Sequence, residues 1–220
     1  NIDNNKIYGV EELSDGSFVL VGDADRVRVI KIDEFGNLIW NNVYQDYDCD
    51  SSSGYSSIGR DIFELENSDI VVLGQSCQDN GESLDYYLLK IDSDGNEVWS
   101  NLFDNPNLNG IDEAYSIDVM EDGTFIMLGT TGYYNPPIIE KNPMVVKAGQ
   151  DGQLDWVQIY DIESPGLYYS SIIVLDYGFI FNGVNMHSSP TENDNDLYNS
   201  FLTRADSNGN ELWTQNFEFQ

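Results

Sequence analysis

An all-β fold of four repeated units, each a sheet of four antiparallel strands forming one blade of a four-bladed β-propeller, is predicted by three observations. First, tryptophan occurs four times in the 220 residues, as Trp40, Trp99, Trp156 and Trp213, at intervals of 59, 57 and 57. A fixed period of this order marks a repeat architecture. Second, runs rich in Val, Ile, Tyr, Phe and Trp alternate with Asp/Gly turns, and no segment carries a helical period. Third, the first strand begins near Ile7 and the last ends at Phe217, which accommodates four whole units and no partial one.

The elements recur in one order. A first strand is predicted at 7–13, 59–65, 114–120 and 169–175, followed by a tight turn at Asp15-Gly16, Asn67-Ser68-Asp69, Asp122-Gly123 and Asp176-Tyr177-Gly178. The second strand ends at a recurrent glycine, Gly22, Gly74, Gly129 or Gly183. The third holds VRVIKI, YYLLKI, MVVKA or FLTRA. A hairpin then leads to a fourth strand bearing the tryptophan and, four residues on, Tyr44, Phe103, Tyr160 or Phe217. Alternation along a strand puts both aromatics on one face, where they can pack on the neighbouring blade. The blades span about 6–47, 58–104, 113–161 and 168–218 of a single domain. Closure into a four-bladed ring is favoured over membership of a longer array, because an open array would leave bare edge strands.

The phrases Lys31-IDEFGNLI-Trp40, Lys90-IDSDGNEV-Trp99, Lys147-AGQDGQLD-Trp156 and Arg204-ADSNGNEL-Trp213 resemble the outer hairpin of quinoprotein-like propellers. Related tryptophan-hairpin repeats occur in bacterial and archaeal extracellular proteins. The resemblance covers essentially the whole chain and implies the propeller fold, with little to say about activity. The quinone enzymes of that group close with eight blades, and four cannot form their pocket. The sialidase Asp-box is matched only with the wrong spacing, at Ser93-Asp94-Gly95 before Trp99. Haemopexin-like domains tie the first blade to the last by a disulfide, but here no cysteine lies in the last blade.

Composition narrows the classes of partner. With 39 acidic and 9 basic residues the net charge is −30, a surface that repels nucleic acid and anionic lipid. No apolar run approaches the ~18 residues needed to cross a bilayer as a helix. The start, Asn1-Ile2-Asp3-Asn4-Asn5, has neither the basic nor the apolar segment of a secretory leader, so the chain is read as an excised stretch or one whose leader is absent.

Candidate site residues lie on the loop-rich face, at 45–58, 75–85, 104–112, 130–143, 161–167 and 184–198, opposite the short hairpins. Cys49 and Cys77 fall in neighbouring connections on that face, so a disulfide is expected, and with it an extracellular or cell-surface setting. Asp46, Asp48 and Asp50 follow the D-x-D-x-D pattern of hard oxygen ligands with which calcium loops begin. No glycine follows directly, however, and Ser57 stands where a bidentate Glu belongs. No cofactor beyond this candidate Ca2+ is implied. Asp194 and Asp196 are a weaker pair, while the DSDGNE stretch (92–97) is a turn because similar stretches recur in every blade.

The recurrent cation, Lys31, Lys90, Lys147 or Arg204, precedes each hairpin among apolar neighbours and must be paired if buried. Asp15, Asp122 and Asp176, or Asp33, Asp92 and Asp206, are the expected partners. His187, the single histidine, sits beside Ser188 and Ser189 without a catalytic pattern. Carboxylate pairs suit glycoside chemistry, but nothing in the sequence selects two among 39. The resulting expectation is a non-enzymatic structural or adhesive extracellular module, partnered by other copies of itself or by neighbouring domains in a tandem or filamentous assembly. The alternative is a propeller that binds a glycan or protein ligand through Tyr133, Tyr134, Tyr168 and Tyr169. A glycan hydrolase or lyase is the third reading.

Overall fold

The protein is described by a computed structural model over residues 6–23, 26–44, 49, 56–77, 83–107, 110–135, 138–162, 167–168, 171–187 and 197–218. Every regular element among them is a strand. β1 (Lys6–Glu12), β2 (Phe18–Asp23), β3 (Val27–Ile32) and β4 (Leu38–Tyr44) form the first antiparallel sheet in chain order. β5 (Ile58–Glu64), β6 (Ile70–Cys77), β7 (Leu84–Ile91) and β8 (Glu97–Phe103) repeat that pattern. So do β9 (Ile111–Val119), β10 (Phe125–Asn135), β11 (Ile138–Ala148) and β12 (Leu154–Ile159). In the last set the first strand is broken into β13 (Leu167–Tyr168) and β14 (Ile172–Leu175), both paired with β15 (Gly178–His187), which is followed by β16 (Leu197–Ala205) and β17 (Glu211–Glu218).

Four separate sheets were expected, and three are present: a four-stranded, an eight-stranded and a five-stranded one. The physical cause is β9, which joins the ladder of β7 as well as that of β10, so the second and third sets share one sheet. The chain divides into two compact units, Asn1–Asp104 with Asp112–Ala114, and Asn105–Ile111 with Tyr115–Gln220.

Each hairpin is built by the same local chemistry. In the first, Asp33 N–H donates to Asn37 O at 2.9 Å and Gly36 N–H to Asp33 O at 3.0 Å, with Gly36 at φ 83°. A glycine relieves the steric cost of that left-handed conformation. The Asp33 carboxylate accepts from Phe35 N–H at 2.9 Å and Asn37 N–H at 2.7 Å, and Asp92 and Asp206 do the same work in their turns. A bulge follows in all four, which sets each cation directly across from its tryptophan: Lys31–Trp40, Lys90–Trp99, Lys147–Trp156 and Arg204–Trp213. The cation and the ring therefore occupy one face, a pairing that sequence spacing alone did not reveal.

In the third and fourth sets the second strand runs well past its recurrent glycine. β10 and β11 pair without a break from Phe125–Ala148 to Asn135–Ile138, and β15 and β16 continue to His187–Leu197. Most of 130–143, and the described ends of 184–198, which read as irregular loop, are thus paired backbone. These arms lack the apolar density of the core strands, so their pairing was not visible in composition.

In the first unit, Val19, Val21, Val29 and Tyr44 of the first set pack with Ile62, Ile70, Val72, Leu89 and Ile91 of the second. In the second unit, Ile126, Leu128, Val145 and Tyr160 pack with Ile172, Phe179, Phe181, Phe201 and Ala205. These are equivalent positions of the repeat. Burial of both faces makes β6 buried at every residue, whereas β3 alternates between buried and half-buried.

Candidate functional site

Of the recurrent cations, Lys31 is buried and Lys90, Lys147 and Arg204 are half-buried, and the three lysines are paired. Lys31 Nζ lies 3.0 Å from Asp15 Oδ2, Lys90 Nζ 2.7 Å from Asp69 Oδ2 and Lys147 Nζ 3.9 Å from Asp122 Oδ2. Asp15 and Asp122 were expected. Asp69 serves in the second set, while Asp33, Asp92 and Asp206 are engaged by their own hairpins. The buried Arg204 Nε makes no hydrogen bond. The Ser17 hydroxyl, the Ser17 N–H and then Lys31 hold the Asp15 carboxyl down at about 2. The chemistry of this repeated pair is structural.

Cys49 and Cys77 form the expected disulfide, with Cα atoms 5.3 Å apart. Cys77 ends β6, and the Cys49 Sγ lies 3.5 Å from Ser57 Oγ, itself 3.2 Å from Ser76 Oγ. Closing 28 residues stabilises by about 3–4 kcal/mol in the chain-entropy account. Asp46, Asp48, Asp50, Tyr169, Asp194 and Asp196 lie outside the described residues. Tyr133 and Tyr134 occupy successive register positions of β10, across from Glu140 and Ile139, and Tyr168 pairs with Val184. His187 ends β15.

The constellation most apt for chemistry went unrecognised in the sequence. At the loop-bearing end of the first unit, β7 begins, β8 ends and β9 begins, and these three termini bring together Asp85, Asp104 and Asp112. One carboxylate oxygen from each lies within 4.8 Å of the others. Asp85 sits across from Ser76, next to the disulfide-bearing Cys77. Asp85 and Asp112 are buried and Asp104 is exposed, so the cluster is reached from solvent on one side. All three are also engaged by neighbouring groups. The one legible signal was a carboxylate inside LDYYLLKI, a strand otherwise apolar enough to be buried on both faces. Burying a carboxylate is costly unless other groups satisfy it.

Three hard oxygen donors at this spacing suit a divalent cation or the sharing and transfer of a proton. In the second unit, a polar cavity of about 680 Å³ is lined by Asp122, Lys147, Asp176 and Asn208 among others. It carries the Lys147–Asp122 pair, and among the described residues no second three-carboxylate cluster occurs.

No protein-family model matches the chain, and no curated protein does. Solved structures match along nearly its full length. One is a protein of unknown function from Bacteroides caccae, with TM-score 0.53, 13% identity, and 98% of this chain and 69% of that one covered. Another is a family-43 endo-arabinanase from Bacillus licheniformis, with TM-score 0.51, 12% identity and 95% and 78% covered. A third is a thermostable family-43 glycoside hydrolase, with TM-score 0.51, 13% identity and 98% and 72% covered. At these identities the likeness is one of fold, and the fold is propeller-like. The family-43 hydrolases are five-bladed propellers. The expectation of a non-enzymatic module is overturned: the architecture is one in which glycoside hydrolases occur. The absence of a sequence motif does not weigh against carboxylate chemistry, because such chemistry depends on residues that a fold brings together.

Proposed function

We propose that the protein is a glycan-active β-propeller, with Asp85, Asp104 and Asp112 as the acid–base centre of a glycoside hydrolase. The observation that carries the reading is the gathering of these carboxylates within 4.8 Å. Most glycoside hydrolases place two carboxyl groups about 5–5.5 Å apart when one is the nucleophile, or about 6.5–9.5 Å apart when a water attacks. The spacing here lies by the shorter arrangement. Burial of two members and exposure of the third supports division of labour, since environment sets which carboxyl holds a proton and which stays ionised.

The likeness to family-43 hydrolases supports the same reading at the level of fold. Within it, four repeats form the blades, and Tyr133, Tyr134, Tyr168 and Tyr169 are proposed on sequence grounds as sugar-stacking residues. The disulfide supports an oxidising, extracellular setting.

The test is hydrolysis of a polysaccharide panel that begins with arabinan, assayed with and without calcium. Asp112→Asn and Asp104→Asn are each expected to lower kcat/KM by about 100-fold or more with melting temperature retained. Activity unchanged in both variants, or no hydrolysis across the panel, sinks the proposal.

A further inference from the structure

Equivalent turns of the repeat are joined differently in the two units. In the first unit, the turn after β1 is tied to the end of β5. Ser14 N–H donates to Glu64 Oε2 at 2.6 Å, and the Ser14 hydroxyl donates to Glu64 Oε1 at 2.9 Å. In the second unit the equivalent positions, after β9 and in β14, hold Glu121 and Val174. A glutamate and a valine cannot make that bridge, and these turns line the cavity of about 680 Å³. Asp118 Oδ2 accepts from Val174 N–H at 2.7 Å and ties the two strands together beside it. The cation of this set is also held less tightly. Lys147 Nζ stands 3.9 Å from Asp122 Oδ2, against 3.0 Å between Lys31 and Asp15. At that distance the two charges pair without a hydrogen bond, so Asp122 uses none of the three ammonium donors.

The cavity presents two kinds of surface. Met120, Val174 and Leu175, all half-buried, supply an apolar wall. Around it stand the donors Lys147 and Asn208 and the carboxylates of Glu121, Asp122 and Asp176. An anion would face three carboxylates. A small cation would leave the apolar wall and the Lys147 ammonium unmatched. A hydroxyl both donates and accepts, so a neutral polyol with an apolar C–H face matches the wall, the donors and the acceptors together. The volume falls within the roughly 300–1,000 Å³ of small-molecule sites. Tyr177, next in the chain to Asp176, is 81% exposed and offers a flat aromatic surface to solvent.

We infer that this cavity binds one ring of a neutral saccharide, with its C–H face on Met120, Val174 and Leu175 and its hydroxyls on Asp122, Lys147, Asp176 and Asn208. Tyr177 offers a stacking surface to an adjoining ring. The site uses none of Asp85, Asp104 and Asp112, and binding there breaks no bond. Its role is to retain a polysaccharide, a function beyond hydrolysis. The inference therefore stands or falls separately from the acid–base reading of the carboxylate cluster.

Amide NMR of the intact, isotope-labelled chain tests it, with titration by arabino-, xylo- and gluco-oligosaccharides and by chitosan oligomers as the cationic comparison. At least one neutral series produces saturable shifts at residues 120–122, 147, 174–176 and 207–208. Asp112→Asn, which alters the carboxylate cluster, leaves those shifts in place. The double variant Glu121→Ser with Val174→Glu installs the first unit's Ser14–Glu64 bridge. It abolishes the shifts and keeps the circular dichroism of the parent. Should it lose its fold, Asn208→Ala, at an exposed position, supplies the decision by weakening binding about 2- to 10-fold. Shifts absent with every neutral series, or confined to the surroundings of Asp85, Asp104 and Asp112, overturn the inference. So do shifts undiminished in the folded double variant or, failing that, in Asn208→Ala. An equal response to chitosan oligomers overturns it too and assigns the site to cations.

Discussion

Among single residues, the turn aspartates have carboxyls held below their ordinary range. Asp15 is drawn to about 2 by the Ser17 hydroxyl first, then the Ser17 N–H and Lys31. The carboxyls of Asp33, Asp92 and Asp206 lie below their usual range because of the Asn side chain four residues on, and that of Asp69 because of Lys90. A carboxyl depressed by folding contributes stability that is present above its unfolded value and is lost as pH falls through its folded one. For Asp15 the window runs from about 4 down to about 2. Its side chain is 56% exposed, so solvent screening keeps its share near or below ~1 kcal/mol. Asp15→Asn is therefore expected to melt slightly below the parent at neutral pH and to converge with it as pH falls toward 2. Melting curves across that range check this, and a constant offset at every pH would refute it.

The repeating element is a clamp found once in each unit: Tyr44 Oη donates to the Gly95 carbonyl at 2.8 Å in the first, and Tyr160 Oη donates to the Gly209 carbonyl at 2.9 Å in the second. Burial pushes the Tyr44 and Tyr160 phenols up, so both stay protonated donors well above neutral pH. Tyr160→Phe leaves the carbonyl of Gly209 without its 2.9 Å donor. That is expected to cost about 1–3 kcal/mol, read as a lower urea midpoint with unchanged slope. Equal midpoints would show that the aromatic ring alone holds the junction. The sequence made the aromatic, the hairpin and their period legible, since alternation places residues 40 and 44 on one face. It did not show that the bulge sets each cation beside its tryptophan, because a bulge is one extra residue in one strand and leaves no compositional mark.

For the whole molecule, charge dominates. Self-repulsion of a −30 chain destabilises the compact state, and the Debye length falls from about 30 Å at 0.01 M to about 8 Å at 0.15 M ionic strength. The melting temperature is therefore expected to rise with sodium chloride over that range, as read by scanning calorimetry. A flat response would mean that the carboxylates are already neutralised by bound cations. No helix among the described residues is long and apolar enough to cross a membrane.

The sequence by itself determined the all-β class, the repeat period, the order of strands and turns, and the recurrent cation before each hairpin. It also determined the pairing of Cys49 with Cys77, because each of these follows from local alternation, turn chemistry and a period. Only the tertiary structure decided that the second and third sets share a sheet through β9, and that the strands run on through the long arms. It alone drew Asp85, Asp104 and Asp112 into one cluster. Those outcomes depend on contacts between strand ends that are not neighbours in sequence, with Asp85 and Asp104 19 positions apart, and in a chain with 39 carboxylates no spacing rule distinguishes the three that meet.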